Sequence, residues 1–160
     1  MLALVRGLTY ATLFIGAFLV FIPGRILSRV GITPVDVIGL PQAVGAVIVV
    51  LGLALAIACV LTFAFVGRGT PAPFDPPRRL VIAGPYRRVR NPMYIGAGAA
   101  LLGAALFYQS AALAGYALLF LLITHLFVLF YEEPHLRRVF GQPYEDYLRT
   151  VRRWIPTWRS

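Results

Sequence analysis

The residues of this chain that are best suited to chemistry form two polar clusters in an otherwise apolar sequence. The first cluster, residues 84–98, reads GPYRRVRNPMYIGAG, so it begins as an arginine-rich loop and ends in an apolar segment. Pro85 and Pro92 restrict their own φ and bias the preceding residue away from helix, which makes Pro92 a suitable first residue of a helix. Gly96 and Gly98 allow another group to approach the backbone closely. We interpret this stretch as the edge of a ligand-binding site.

The second cluster begins with Glu132 and Glu133, which directly follow a long apolar run. Carboxylates at the end of a bilayer-spanning helix are costly, so they are usually functional or paired with cations. Three arginines further along the chain, Arg137, Arg138 and Arg153, offer such pairing. The glutamates alone therefore fit a helix-end ion network and a ligand contact equally well.

The composition indicates a membrane protein. The chain has 160 residues, of which 59% are hydrophobic, and its mean hydropathy is +0.79. The net charge of +9 comes from 15 basic residues, all of them arginine. Most of these arginines flank apolar runs, so anionic lipid headgroups explain them better than nucleic acid does. A single cysteine, Cys59, excludes an internal disulfide and a multi-cysteine metal site.

The first half of the chain contains two apolar runs that predict transmembrane helices. Residues 8–22 favour a retained helix over a signal peptide, since no small-x-small cleavage pattern follows them. Residues 43–66 carry no charge, and at ~1.5 Å per residue this run is long enough to cross a hydrocarbon core of ~30 Å.

The second half contains an apolar run, residues 93–131, that is too long for one span and suits two. We place a hairpin turn near residues 108–111, where the most polar interior pair of the run lies. The third helix is then short, at 92–107, and the fourth runs over 112–131. Pro134 is expected to interrupt or kink the fourth helix.

The remaining segments are polar or amphipathic. Residues 23–41 indicate an interfacial loop, and residues 67–91 a proline-rich loop. Residues 135–160 indicate amphipathic helices that lie along the membrane, with Trp154 and Trp158 as interfacial anchors. Six arginines in each of the last two segments place both on the cytoplasmic side.

The predicted fold is an all-α integral membrane protein with about four transmembrane helices, a tight hairpin of helices three and four, and amphipathic C-terminal interfacial helices. Residues 1–66 form an N-terminal helix pair and residues 67–160 a cofactor-binding module, within one structural domain. The hairpin returns both polar clusters to the same membrane face. Together they offer carboxylates, arginines, aromatic rings and exposed backbone. S-adenosylmethionine matches this set, because it carries a cation, a carboxylate and an aromatic base.

The two clusters also resemble a known family. The run GPYRRVRNPMYIG at 84–96, followed by EEPHLRRVFGQPYEDY at 132–147 and RWIP at 153–156, resembles the isoprenylcysteine carboxyl methyltransferase family. It is also similar to the related phospholipid N-methyltransferases. The likeness covers residues 68–156. In that family the membrane helices and a C-terminal segment enclose S-adenosylmethionine on the cytoplasmic side, and a lipophilic substrate enters from the bilayer.

The resemblance implies roles for particular residues. Those expected to line the cofactor are Tyr86, Arg90, Asn91, Pro92, Tyr94, Gly96, Gly98, Glu132 and Glu133. Glu132 or Glu133 is the expected base for an amine acceptor, and Arg153 is expected to hold a substrate carboxylate or phosphate. Asn91 stands where the eukaryotic prenylcysteine enzymes have histidine. Because an amide cannot titrate, any acid–base role at that position is lost.

The predicted function is S-adenosylmethionine-dependent methyl transfer to a lipophilic acceptor: a phospholipid amine, an isoprenoid or prenyl-cysteine carboxylate, or a small hydrophobic thiol. The expected location is a bacterial or archaeal cytoplasmic membrane, with the active site facing the cytoplasm. The expected partners are the bilayer and a lipophilic substrate, with no metal and no nucleic acid. Two alternatives stay open: an NADPH-dependent membrane reductase of the sterol type, and a non-enzymatic scaffold whose arginines bind anionic lipid.

Overall fold

The fold is seen in a computed structural model that describes residue 9 and residues 12–31, 38–67 and 79–157. The predictions for residues 68–78 and for Trp158 lie outside the described residues. All regular secondary structure within those described ranges is helical. The elements are α1 (Thr12–Val30), α2 (Leu40–Gly67), a 3-10 turn (Gly84–Arg87), α3 (Pro92–Phe107), α4 (Ala111–Phe140) and α5 (Gln142–Thr150).

Helices α1, α2 and α4 are long and apolar enough to span a membrane. Helix α3 is apolar but has only 16 residues, which at ~1.5 Å per residue gives a length of about 24 Å. Its bounds agree with the predicted helix at 92–107. The all-α integral membrane fold predicted from the sequence is therefore confirmed, with α3 as the shorter apolar helix.

The turn between α3 and α4 falls within the predicted hairpin region. Gln109 takes a positive φ of 47°, and Ser110 caps α4, because its Oγ accepts a hydrogen bond from the N–H of Leu113 at 3.3 Å. A turn this tight brings the start of α3 and the end of α4 to the same end of the molecule. The two polar clusters meet there.

Two helices continue through prolines that the sequence analysis places in a loop or at a helix break. Pro23 lies inside α1 and Pro134 lies inside α4. Each follows a π-helical segment, Ile15–Phe21 in α1 and Val128–Glu132 in α4. The wider π turn shifts the hydrogen-bond pattern just ahead of the proline, so the missing N–H is tolerated. The prediction of a loop beginning at residue 23 is therefore wrong. Of the interruption or kink predicted at Pro134, the interruption does not occur.

Helices α2 and α3 touch backbone to backbone at two pairs of glycines. A Cβ atom added to Gly52 would lie 2.6 Å from the carbonyl oxygen of Gly96, and one added to Gly45 would lie 2.7 Å from that of Gly103. On the other side of α3, a Cβ atom on Gly98 would collide with Leu121 of α4. Small residues at these positions hold α3 closely between α2 and α4.

Helix α1 packs on the outside of this group through aromatic rings. The ring centroids of Phe14 and Phe18 lie 6.1 and 6.4 Å from that of Phe120 in α4. The Tyr116 hydroxyl also donates a hydrogen bond of 3.0 Å to the Phe18 carbonyl oxygen. Most of α1 is otherwise exposed, as expected for a helix that faces lipid.

Helix α5 turns its apolar side toward the protein. Tyr144, Tyr147 and Val151 are buried, and Leu80 and Leu136 pack against them. The amphipathic C-terminal helices thus cover the polar end of the bundle, where the two clusters lie.

The glycine contacts predict the effect of one added methyl group. We expect Gly52→Ala to lower the free energy of unfolding by about 1–3 kcal/mol, because the neighbouring atoms are backbone and cannot move aside. Gly115→Ala is the matched control, since nothing lies within 4 Å of its added Cβ. It should raise the free energy of unfolding by up to about 1 kcal/mol, the usual gain of alanine over glycine inside a helix. Unfolding in mixed detergent micelles, followed by circular dichroism, measures both; equal stability of the two variants would contradict close α2–α3 packing.

Candidate active site

A cleft opens where the C-terminal end of α2, the start of α3 and the end of α4 meet the loop before α3. Its lining borders about 280 Å³ of empty space, part of which is open solvent at the mouth. Five of its lining residues belong to the first polar cluster and one to the second. The lining residues are Phe63, Tyr86, Arg90, Asn91, Met93, Tyr94 and Glu132.

The loop before α3 is shaped by residues suited to sharp turns. Gly84 adopts a φ of +53°, a conformation that other residues rarely take, and the 3-10 turn Gly84–Arg87 follows. The Tyr86 ring lies edge-on to Phe63 of α2, with centroids 5.1 Å apart. The Tyr147 hydroxyl of α5 donates a hydrogen bond of 2.6 Å to the Tyr86 carbonyl oxygen. The turn is therefore held from both the membrane helices and the C-terminal helix.

Glu133 is the centre of a buried ion-pair cluster. Its residue is only 4% exposed. The Arg153 guanidinium donates two hydrogen bonds to its carboxylate, from Nε to Oε1 at 2.7 Å and from Nη2 to Oε2 at 2.9 Å. Arg90 Nη1 lies 3.0 Å from the same Oε1. Bidentate charge-assisted pairs of this kind are strong and geometrically specific.

Glu132, its neighbour in sequence, has a different environment. Its side chain lines the cleft, and its Oε2 accepts a hydrogen bond of 3.1 Å from the Tyr94 hydroxyl. Among the described residues, no arginine forms an ion pair with Glu132. Glu133 is thus paired with arginines, whereas Glu132 faces the cleft.

A C-terminal segment, residues 151–157, lies along the loop before α3. The Arg90 N–H donates to the Arg152 carbonyl oxygen at 3.0 Å, and the Thr157 N–H donates to that of Arg88 at 2.7 Å. The Asn91 side chain is buried, and its Nδ2 donates to the Arg153 carbonyl oxygen at 3.2 Å. Asn91 therefore holds the segment that carries Arg153.

Burial and pairing set the charge of the groups around the loop. Burial raises the pKa of Tyr86 well above its usual value and raises the pKa of Tyr144 to about 12. The hydrogen bond to Glu133 raises the pKa of Arg153. At neutral pH these two tyrosines are neutral hydrogen-bonding groups, so neither serves as a base, and Arg153 is a cation.

The structure brings together most of the residues singled out from the sequence. The predicted residues that line the cleft are Tyr86, Arg90, Asn91, Tyr94 and Glu132. Glu133 and Arg153 adjoin this group through Arg90, and Pro92 begins α3 beside it.

Gly96 and Gly98 do not line the cleft, because they pack against α2 and α4. Two apolar lining residues, Phe63 and Met93, were not among the predicted site residues. Met93 lies within the first polar cluster, whereas Phe63 lies inside a long hydrophobic run, where nothing in the pattern separates a cleft residue from a lipid-facing one. Among the described residues, no group of three or more histidine, cysteine or acidic side chains could hold a metal ion.

Comparison with known proteins gives one family match. No curated protein and no solved structure matches the chain. A family model described as phospholipid methyltransferase matches residues 40–143, more than half of the chain. The match begins with α2 and ends in α5, so it contains every residue of the cleft. The chain therefore belongs to the phospholipid methyltransferase family of integral membrane methyltransferases.

Proposed function

We propose that this membrane methyltransferase transfers a methyl group from S-adenosylmethionine to the amine of a membrane phospholipid. The observation that carries the proposal is the Glu132 carboxylate, which lines the cleft without an arginine partner among the described residues. A carboxylate in that position attracts a cation and can accept a proton.

The polar groups of the cleft fit S-adenosylmethionine. Arg90 lines the cleft, and its Nε is buried without a hydrogen-bond partner in the described structure. A buried donor of this kind is costly unless a ligand completes it, and the cofactor carboxylate would do so. Tyr86 and Phe63 offer ring surface for the adenine. When bound, S-adenosylmethionine supplies a methyl group already activated by its sulfonium, so the protein mainly aligns and desolvates the acceptor.

The charges around the cleft favour an amine over an anionic acceptor. Arg90 and Arg153 share the single carboxylate of Glu133, which leaves this cluster with one positive charge. The cofactor carboxylate at Arg90 would balance that charge, so a carboxylate acceptor beside Glu132 would meet no further guanidinium among the described lining residues. An ammonium group would be attracted by Glu132 instead. A phospholipid amine brings such a cation to the membrane surface.

An amine must lose a proton before its nitrogen can form a new bond, and Glu132 is placed to accept that proton. The Tyr94 hydroxyl fixes Oε2 of the carboxylate. Its other oxygen, Oε1, is then available to the acceptor. Glu133 has no such role, since its two oxygens are held by Arg153 and Arg90. It holds the loop and the C-terminal segment together.

The distribution of arginines supports a cytoplasmic active site. The cleft lies at the end of the bundle where the loop before α3 and the C-terminal segments meet. These segments carry most of the arginines of the chain, and membrane proteins retain such segments on the cytoplasmic side.

The function is tested with purified protein in phospholipid nanodiscs. We expect calorimetry to show saturable binding of S-adenosylmethionine and none of NADPH, because the cleft offers groups for each charge of the former. A methyl-transfer panel would contain phosphatidylethanolamine, an isoprenoid acid, a prenyl-cysteine and a hydrophobic thiol. Phosphatidylethanolamine should be the acceptor. Binding of NADPH alone would assign a reductase, and binding of neither ligand would favour a lipid-binding scaffold.

The roles of the two glutamates lead to a separate prediction for catalysis. We expect Glu132→Gln to slow methyl transfer to the amine by roughly 10²- to 10⁴-fold, because the amide cannot accept the proton. Its melting temperature should stay close to that of the wild type. Glu145→Gln is the matched control, since Glu145 pairs with Arg137 at the surface, away from the cleft. If Glu132→Gln retained wild-type rates, the proton would have to go elsewhere.

A further inference from the structure

Two consecutive side chains of the segment 151–157 contact α4 at separate points. Arg153 binds Glu133 near the end of α4. The Trp154 indole Nε1 donates a hydrogen bond of 3.0 Å to Nδ1 of His125. His125 and Glu133 are eight positions apart, which is about 12 Å along a helix. Two contacts at that spacing fix both the position and the direction of the segment.

The contact between Trp154 and His125 is chemically specific. An indole N–H can only donate, so its partner must present a lone pair. His125 does so from within the apolar span of α4, with the two ring centroids 5.8 Å apart. In this half-buried contact the indole N–H and the imidazole Nδ1 satisfy each other as hydrogen-bond donor and acceptor. Losing either partner leaves the remaining group unpaired at a depth where water is scarce.

The contact of Trp154 with His125 directly follows the ion pair of Arg153 along the segment. The segment is not helical after α5. Beyond Arg153, its contact with the membrane helices is made by Trp154. On its other side it is bound to the loop before α3 at Arg90 and Asn91, two residues that line the cleft. Displacement of the segment therefore disturbs the cleft on that side.

We propose that Trp154 and His125 are positioning residues that hold Arg153 on Glu133 and thereby set the geometry of Arg90 in the cleft. The proposal rests on the proposed function for its ligand, because S-adenosylmethionine is the probe of cleft geometry. It assigns a role to the segment beyond residue 143, where the family match ends.

The test is a set of variants in which the contact is removed from either side. Trp154→Phe keeps a ring but removes the donor, and His125→Leu removes the acceptor. We expect each to weaken S-adenosylmethionine binding by about 5- to 20-fold, because the displaced segment no longer fixes Arg90 in the cleft; a loss of this size corresponds to about one hydrogen bond. The double variant should bind no more weakly than either single variant. His125→Asn, which keeps an acceptor near the position of Nδ1, should bind almost as tightly as the wild type.

A second set of variants, made in Arg153→Ala protein, separates a positioning role of Trp154 from a general effect on stability. In Arg153→Ala protein, adding Trp154→Phe should lower the affinity for S-adenosylmethionine by clearly less than in the wild-type background, because only the contacts of the segment with Arg90 and Asn91 are left to disturb. The melting temperature should still fall. A merely structural tryptophan would lower the affinity by the same factor in both backgrounds, and that result would overturn the proposal.

Trypsin provides a readout that needs no cofactor. Cleavage after Arg152 or Arg153, followed by mass spectrometry of the intact protein, reports release of the segment. It should be several-fold faster in Trp154→Phe and His125→Leu, and unchanged in His125→Asn. If the wild type bound no S-adenosylmethionine but these rates held, the proposed function would fail while the contact survived. Unchanged cleavage in both variants would overturn the positioning role.

Discussion

The carboxylate of Glu133 is the constraint on which the polar end of this protein depends. It is almost fully buried and accepts from two arginines, one in the loop before α3 and one in the C-terminal segment. Breaking a buried pair by removing one partner typically costs about 3–5 kcal/mol, because the other charge is left uncompensated. Three parts of the chain that are distant in sequence therefore meet at the Glu133 carboxylate, and the cleft lies beside it.

This arrangement explains how adjacent glutamates acquire different chemistry. Consecutive residues on a helix point about 100° apart, so Glu132 and Glu133 cannot face the same neighbours. Glu133 faces the arginines of the loop and the C-terminal segment, whereas Glu132 faces Tyr94 and the cleft. The proposed methyl transfer to an amine uses Glu132 as a carboxylate that no arginine of the described residues pairs with. The helix leaves Glu132 in that state by turning Glu133 toward Arg90 and Arg153.

Much of this architecture was accessible from the sequence. The bounds of α3 followed from Pro92 and from the polar pair before α4, because those residues mark helix ends by local chemistry. The meeting of the two clusters followed from the hairpin. The lengths of α1 and α4 did not follow, since π turns that accommodate Pro23 and Pro134 leave no composition signal. The distinct partners of Glu132 and Glu133 also depend on tertiary contacts across long sequence separations.

The short length of α3 affects how much energy a lipid substrate needs to reach the cleft. A helix of about 24 Å that begins at the opposite surface ends roughly 6 Å below the top of a ~30 Å hydrocarbon core. Its flanking helices α2 and α4 are longer and shield it, so the bilayer need not thin around it. With α3 set in this way, the floor of the cleft would lie below the headgroup layer. The proposed phospholipid acceptor would then reach it with both acyl chains still in the bilayer, which avoids the cost of extracting the lipid into water.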